Sequence, residues 1–221
     1  MITAADCTGH GVPGAFMSML GVSFLNEIVR KQEIIHANQI LDKLRKQIKT
    51  TLDQTGKAGE AKDGMDIAFC IINTETKELQ FAGANNPLYI IRNINFPDLK
   101  KQEDLPTKRV SIKKVESNGF RLTQIKANSQ PIGVHLKEKP FTNNEIQLIE
   151  GDKLYIFSDG FVDQIGGING KKFMSKSFKK LLLDIHNEPM QQQHNILKQT
   201  IEEWKSGNEQ VDDILVIGIN V

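Results

Sequence analysis

Between Met65 and Ser158 the chain carries six short apolar, β-branched runs, and no helical stretch separates any two of them. Parallel neighbours in a sheet need a crossover of about a dozen residues or more, usually a helix. The first three, joined by short turns, therefore read as a meander of antiparallel strands. The six runs are Met65–Ile72, Glu78–Ala82, Pro87–Arg92, Gly119–Ile125, Asn144–Ile149 and Lys153–Ser158, with polar turn residues between them. The stretch from Asn93 to Asn118 is charged, holds Pro97 and Pro106, and reads as an irregular excursion. Helical periodicity is confined to the flanks. Ahead of the strands, Ala15–Arg30 would present Phe16, Met19, Leu20, Phe24, Leu25 and Ile28 on one face, and Ala37–Leu52 would present Ile40, Leu41, Leu44 and Ile48. Behind them come Ser175–His186, Met190–Trp204 and a closing strand, Ile214–Asn220. Strands clustered between helices, without alternating βα units, predict an α+β layering and exclude a doubly wound parallel sheet.

The 221 residues suffice for one domain with a sizeable core, and residues 1–221 are read as a single domain. A net charge of +1, from 28 basic and 27 acidic residues, provides no electrostatic pull towards nucleic acid or an anionic membrane. Two cysteines, Cys7 and Cys70, are too few for a disulfide framework or a structural zinc site, so a reducing cytoplasmic setting is expected. By run length alone no apolar stretch reaches the ~18 residues of a membrane span, and no membrane segment is expected. Met1 to Ala5 reads as the end of a strand that begins earlier.

Three places share one pattern: an apolar strand meets an aspartate at its tip. They are Ala4-Ala5-Asp6-Cys7, Tyr155-Ile156-Phe157-Ser158-Asp159-Gly160, and Val211-Asp212-Asp213 at the opening of the last strand. Aspartate is depleted from strands and costly to bury unpaired. Two readings stand for these residues. Asp-Gly and Asp-Asp are turn formers; alternatively, the carboxylates surround a shared cation, and an all-oxygen set suits Mg²⁺ or Mn²⁺.

The stretch Asp6-Cys7-Thr8-Gly9-His10-Gly11-Val12-Pro13-Gly14-Ala15-Phe16-Met17 resembles a metal motif of the SpoIIE-type branch of the metal-dependent (2C-like) protein phosphatases. Phe157-Ser158-Asp159-Gly160-Phe161-Val162-Asp163 looks like that branch's later Asp-Gly motif, and Val211-Asp212-Asp213-Ile214-Leu215-Val216 like its terminal Asp-Asp motif. Phe81-Ala82-Gly83-Ala84-Asn85-Asn86-Pro87-Leu88 and Pro131-Ile132-Gly133 fall in order between them. The resemblance implies a two-sheet antiparallel β-sandwich flanked by helices. It implies two divalent cations, Mn²⁺ or Mg²⁺, held by Asp6, the Cys7 carbonyl, Asp159 and Asp212, with Asp213 and Asp163 as secondary candidates. The implied reaction is hydrolysis of phosphoserine or phosphothreonine on a regulatory protein, by a water bridging the two metals. An upstream sensor domain is the implied regulatory partner. The branch also has an earlier strand with a further acidic ligand, which this sequence does not contain, so N-terminal strands are expected to be missing. An unpaired sheet edge would then favour a homodimer. Where the branch often has a histidine, this chain has Ala84.

Competing readings of the same residues are weaker. Gly9-His10-Gly11-Val12-Pro13-Gly14 matches G-x-G-x-x-G, but no βαβ unit or acid-ended second strand follows. Cys7 as a phosphatase nucleophile would need an arginine soon after it, and the next is Arg30. An aspartyl phosphotransferase would need an acid two residues after Asp6, where Thr8 stands. His10 is a candidate general acid; His36, His135, His186 and His194 read as surface, Cys70 as a packed core residue, and Trp204 as a core or edge anchor. The rival function is a phosphatase-like docking module without turnover.

Overall fold

The computed structural model describes residues 1–9, 11–31, 36–57, 63–95 and 112–221. In chain order the elements begin with β1 (Ile2–Cys7), α1 (Gly11–Arg30), α2 (Ala37–Thr51), β2 (Met65–Ile72), β3 (Glu78–Ala84) and β4 (Leu88–Asn93). They continue with β5 (Ile112–Ser117), β6 (Phe120–Ile125), β7 (Asn144–Gln147), β8 (Lys153–Phe157) and α3 (Gly160–Asp163). A small hairpin, β9 (Ile165–Gly166) and β10 (Lys171–Lys172), precedes α4 (Ser175–Ile185), α5 (Met190–Lys205) and β11 (Val216–Asn220). Among the described residues every pairing between these strands is antiparallel. The class is α+β.

The chain forms two compact units, Met1–Pro87 with Lys126–Gln147, and Leu88–Ile125 with Leu148–Val221. In the first, a sheet of order β1-β2-β3-β7 carries α1 and α2. Helix α2 buries Ile40, Leu41, Leu44 and Ile48, the stripe its sequence spacing predicts, against Ile67, Phe69 and Ala82 of the sheet. Each such side chain contributes roughly 1.5–3 kcal/mol when fully buried. Its first turn is tied to the sheet by Ala37 N–H donating to Gln80 Oε1 at 3.2 Å.

Helix α1 departs from the expected face. It buries Gly14, Met17, Gly21 and Ile28, while Phe16 and Met19 are 62% and 69% exposed. Leu20, Phe24 and Leu25 do pack inward. A helix apolar all round has no unique stripe, and here close approach chooses the face: a Cβ on Gly21 would lie 2.7 Å from Met65 Cε. Among the described helices α1 alone is long and apolar enough to cross a membrane, by composition and not by an unbroken apolar run.

In the second unit the sheet order is β11-β8-β4-β6-β5. Its core is aromatic: Tyr89, Phe157, Phe161, Phe173 and Phe178 cluster with Leu182 and Ile201. Tyr89 and Phe157 meet edge to face, with centroids 4.7 Å apart. Asp152 is buried, and Arg92 donates to both its carboxylate oxygens at 2.9 and 2.6 Å.

Two expectations fail here. The excursion ends in a strand, since β5 pairs with β6 from Ile112↔Ile125 to Ser117↔Phe120. The turn between them is Asn118-Gly119 with φ of 49° and 80°, the positive pair that a two-residue hairpin requires. The charged residues of β5 hide the strand; residues 96–111 lie outside the described set. His186 is buried, not on the surface, with Nδ1 2.6 Å from Leu183 O and its ring 4.0 Å from that of Phe120.

Candidate metal centre

In the second unit, β8 runs apolar to Phe157 and delivers Ser158 and Asp159 at its tip. Asp159 occupies the cap position of α3, yet its side chain makes no capping hydrogen bond. The carboxylate is thus not engaged in the local role that usually explains an aspartate before a helix. Partial burial raises its pKa, and the charges of Asp212 and Asp163 raise it further, against a weaker opposing pull from Lys172. Carboxylates held together in this way favour a proton or a cation.

Gly160 shows why the motif is Asp-Gly. A Cβ there would lie 2.4 Å from Asp213 O and 3.2 Å from Asp212 O. The glycine is needed because the Asp212-Asp213 backbone crosses it, not because the turn demands a left-handed conformation. Ser158 completes the junction: its Oγ donates to Asp213 O at 2.7 Å and accepts from Leu215 N–H at 2.9 Å. Asp212 is exposed, and its Oδ1 accepts from Asp213 N–H at 2.8 Å. Two motifs some fifty residues apart in sequence are in this way locked together. Asp163, at the end of α3, is paired with Lys172 at 2.8 Å on the β9–β10 hairpin.

In the first unit, β1 ends at Asp6 and Cys7, whose partners on β2 are Asp66 and Met65. Directly opposed residues of an antiparallel pair share a face, and like charges there are destabilising. Asp66 was not foreseen, although an aspartate inside Met65-Asp66-Ile67-Ala68 breaks an apolar strand and is the same signal that singles out Asp6. Asn85, in the left-handed region at φ 57°, donates from Nδ2 to Asp66 Oδ1 at 2.8 Å. The neighbouring Ala84 is fully buried. Burial pushes the Cys7 thiol up; a hydrogen bond with Ser18 opposes this and the Asp6 charge reinforces it. A raised thiol is a poor nucleophile at neutral pH, which leaves the Cys7 carbonyl as its useful group. Beyond Thr8, Gly9 adopts φ 90°, and a Cβ on Gly14 would lie 2.6 Å from Gly9 O, so the glycines here permit a tight entry into α1. His10 lies outside the described residues.

The donor set fits hard divalent cations: every candidate ligand is a carboxylate or carbonyl oxygen, and Asp159, Asp163 and Asp212 gather where only Lys172 is described as opposing their charge. The structure places Asp159, Asp163 and Asp212 together in one unit, and Asp6, Cys7 and Asp66 together in the other.

Comparisons with known proteins bear on this arrangement. The family model for stage II sporulation protein E (SpoIIE) matches residues 1–108 and 115–221. None of the curated proteins matches the sequence. Among solved structures, the SiaA-PP2C domain of Pseudomonas aeruginosa superposes with a TM-score of 0.77 at 25% identity, covering 100% of this chain and 75% of that one. The PP2C phosphatase domain, with a fragment of the regulatory domain, of SpoIIE from Bacillus subtilis gives 0.62 at 18% identity, over 99% of this chain and 52% of that one. The catalytic domain of the serine/threonine phosphatase PstP, in complex with two manganese ions, gives 0.56 at 13% identity, over 99% and 86%.

Proposed function

Because the chain belongs to the SpoIIE family, whose solved relatives are PP2C-type phosphatases, we propose that it takes part in metal-dependent hydrolysis of phosphoserine or phosphothreonine on a regulatory protein. The observation that carries this reading is the Asp159–Asp212 pair, locked by Gly160 and Ser158 and holding a raised carboxylate pKa. Asp6 and the Cys7 carbonyl join Asp159 and Asp212 in the proposed ligand set, with Asp213 as a further candidate. Asp163 is the weaker one, since Lys172 already pairs with it.

Two Mn²⁺ or Mg²⁺ ions held there would supply Lewis acidity for phosphate-ester hydrolysis; the manganese of PstP supports this choice. The chain's own residues do the rest. The Asp159 carboxylate stands beside the charges of Asp212 and Asp163, which disfavour its ionised form, and a cation relieves that repulsion. Ser158 and Gly160 hold the two acids in fixed relation, so no reorganisation is needed when cation and substrate arrive. Partial burial raises the Cys7 thiol and disfavours its thiolate.

The regulatory-domain fragment present with the Bacillus subtilis relative supports an upstream sensor as partner. We include a cytoplasmic setting and a homodimer through the outer edge of β1, the terminal strand of its sheet; a strictly monomeric species in light scattering at high concentration removes the homodimer.

Hydrolysis of p-nitrophenyl phosphate with and without Mn²⁺, on this chain and on a version extended upstream, tests the reading. Turnover that needs Mn²⁺ and is lost in Asp159→Asn supports it. Metal-independent behaviour in both, with partner binding retained, favours the docking module.

A further inference from the structure

Residues 206–213, which lead into and carry Asp212, are all exposed. A surface segment without apolar anchors opens easily, yet a metal ligand must be held to a fraction of an ångström. Downstream of Asp212 the segment is fastened by Ser158. Upstream, Gln210 Nε2 donates within the segment to Asp212 O at 2.8 Å, and the buried side chain that fastens it to the body among the described residues is Gln164, which is 0% exposed. Its Nε2 donates to Glu209 O at 2.9 Å and to Ile165 O at 3.0 Å, while its Oε1 accepts from Val211 N–H at 3.3 Å. A carbonyl and an N–H two residues apart are answered together by one primary amide, which offers both a donor and an acceptor. The backbone of Gln164 is fixed as well: its N–H donates to Gly160 O at 3.0 Å, and its carbonyl accepts from Phe173 N–H and from Trp204 Nε1, both at 3.0 Å. The residue is bonded at one end to the glycine that follows Asp159 and at the other to the segment that ends in Asp212.

We propose that Gln164 is a positioning residue for metal binding, setting where Asp212 stands relative to Asp159. This rests on the reading of Asp159 and Asp212 as metal ligands. Gln164 touches neither cation nor substrate and acts through the 209–211 backbone. Without its amide the segment still hydrates, because it is exposed, so the fold survives while the ligand loses its fixed place.

The test is Mn²⁺ affinity, followed by electron paramagnetic resonance of free Mn²⁺, together with thermal unfolding. Wild type, Gln164→Met, Gln164→Asn and Asp159→Asn are compared. Gln164→Met keeps the volume and removes both amide groups. Loss of an outer partner of a metal ligand weakens affinity about 10–100-fold, and that loss is expected with a melting temperature near that of wild type. Hydrolysis should return at saturating Mn²⁺, whereas Asp159→Asn stays inactive at every concentration. Wild-type affinity in a folded Gln164→Met protein overturns the proposal. Should that variant fail to fold, Gln164→Asn decides: its amide is one methylene too short, so reduced affinity upholds the proposal and wild-type affinity overturns it. If wild type and Asp159→Asn show the same Mn²⁺ binding, the metal reading itself fails, and the role of Gln164 falls with it.

Discussion

At Gly160 a single absent methyl group decides whether two distant motifs can meet. A Cβ 2.4 Å from Asp213 O forces the backbone to move, and overpacking of this kind costs about 1–3 kcal/mol. Gly160→Ala is expected to lower stability by that amount in urea titrations and to cut Mn²⁺-dependent hydrolysis about tenfold or more, whereas Gly170→Ala, strained by its φ of 57° but with nothing near its Cβ, leaves hydrolysis unchanged. The Asp159 carboxylate is strained in a different way. Its folded-state pKa is raised by partial burial and by Asp212 and Asp163, so its ionised form destabilises the metal-free fold, and that cost fades as pH falls through the raised value. Asp159→Asn is therefore expected to raise the metal-free melting temperature at neutral pH while abolishing turnover. Cys70 runs the same course at higher pH. Burial pushes its thiol up to about 12, so the stability it contributes is complete below the unfolded value near 9 and is lost as pH rises towards about 12. Thiol labelling at pH 8 should be slow at Cys70 until the protein unfolds.

Elements differ in how much of their placement is local. The face of α2 follows from its own spacing, and Leu44→Ala should cost about 2–5 kcal/mol by leaving a cavity in a fully buried site. The face of α1 follows from Gly21 and Met65 instead. The β7–β8 turn depends on a charge pair: Asp152 accepts from Arg92 on β4 and from Ile149 N–H at 3.0 Å. Removing Asp152 takes two carboxylate bonds from the partly buried Arg92 guanidinium and the acceptor from Ile149 N–H, so Asp152→Ala is expected to destabilise by about 1–3 kcal/mol, measured by urea unfolding. The β5–β6 hairpin was legible in principle, since Asn118-Gly119 is a strong two-residue turn signal; Lys113, Lys114 and Glu116 in the strand before it masked the alternation.

For the whole molecule, a cation that binds only the folded state must stabilise it. Mn²⁺ at about a hundred times its Kd should add about 2.7 kcal/mol, roughly 5–10 °C in melting temperature for a chain of this size. Chelation should reverse the shift, and Asp159→Asn should not show it. A scan in which Mn²⁺ moves neither protein argues against the metal centre.

The order of apolar periods determined the α+β class, the antiparallel pairing across short turns and the stripe of α2, because these depend on spacing of 2.0 or 3.6 residues and on connection length, all local properties of a chain. The same reading singled out Asp6, Asp159 and Asp212, because an aspartate at the tip of an apolar strand is locally anomalous. What it left undecided depends on residues far apart in sequence. Only the fold set Asp66 opposite Asp6, laid the Asp213 backbone across Gly160, exposed Phe16 and Met19, buried His186, and fastened residues 209–211 to Gln164. Each of these is decided between segments with no common period, where close packing or a shared hydrogen bond acts only once the chain has folded.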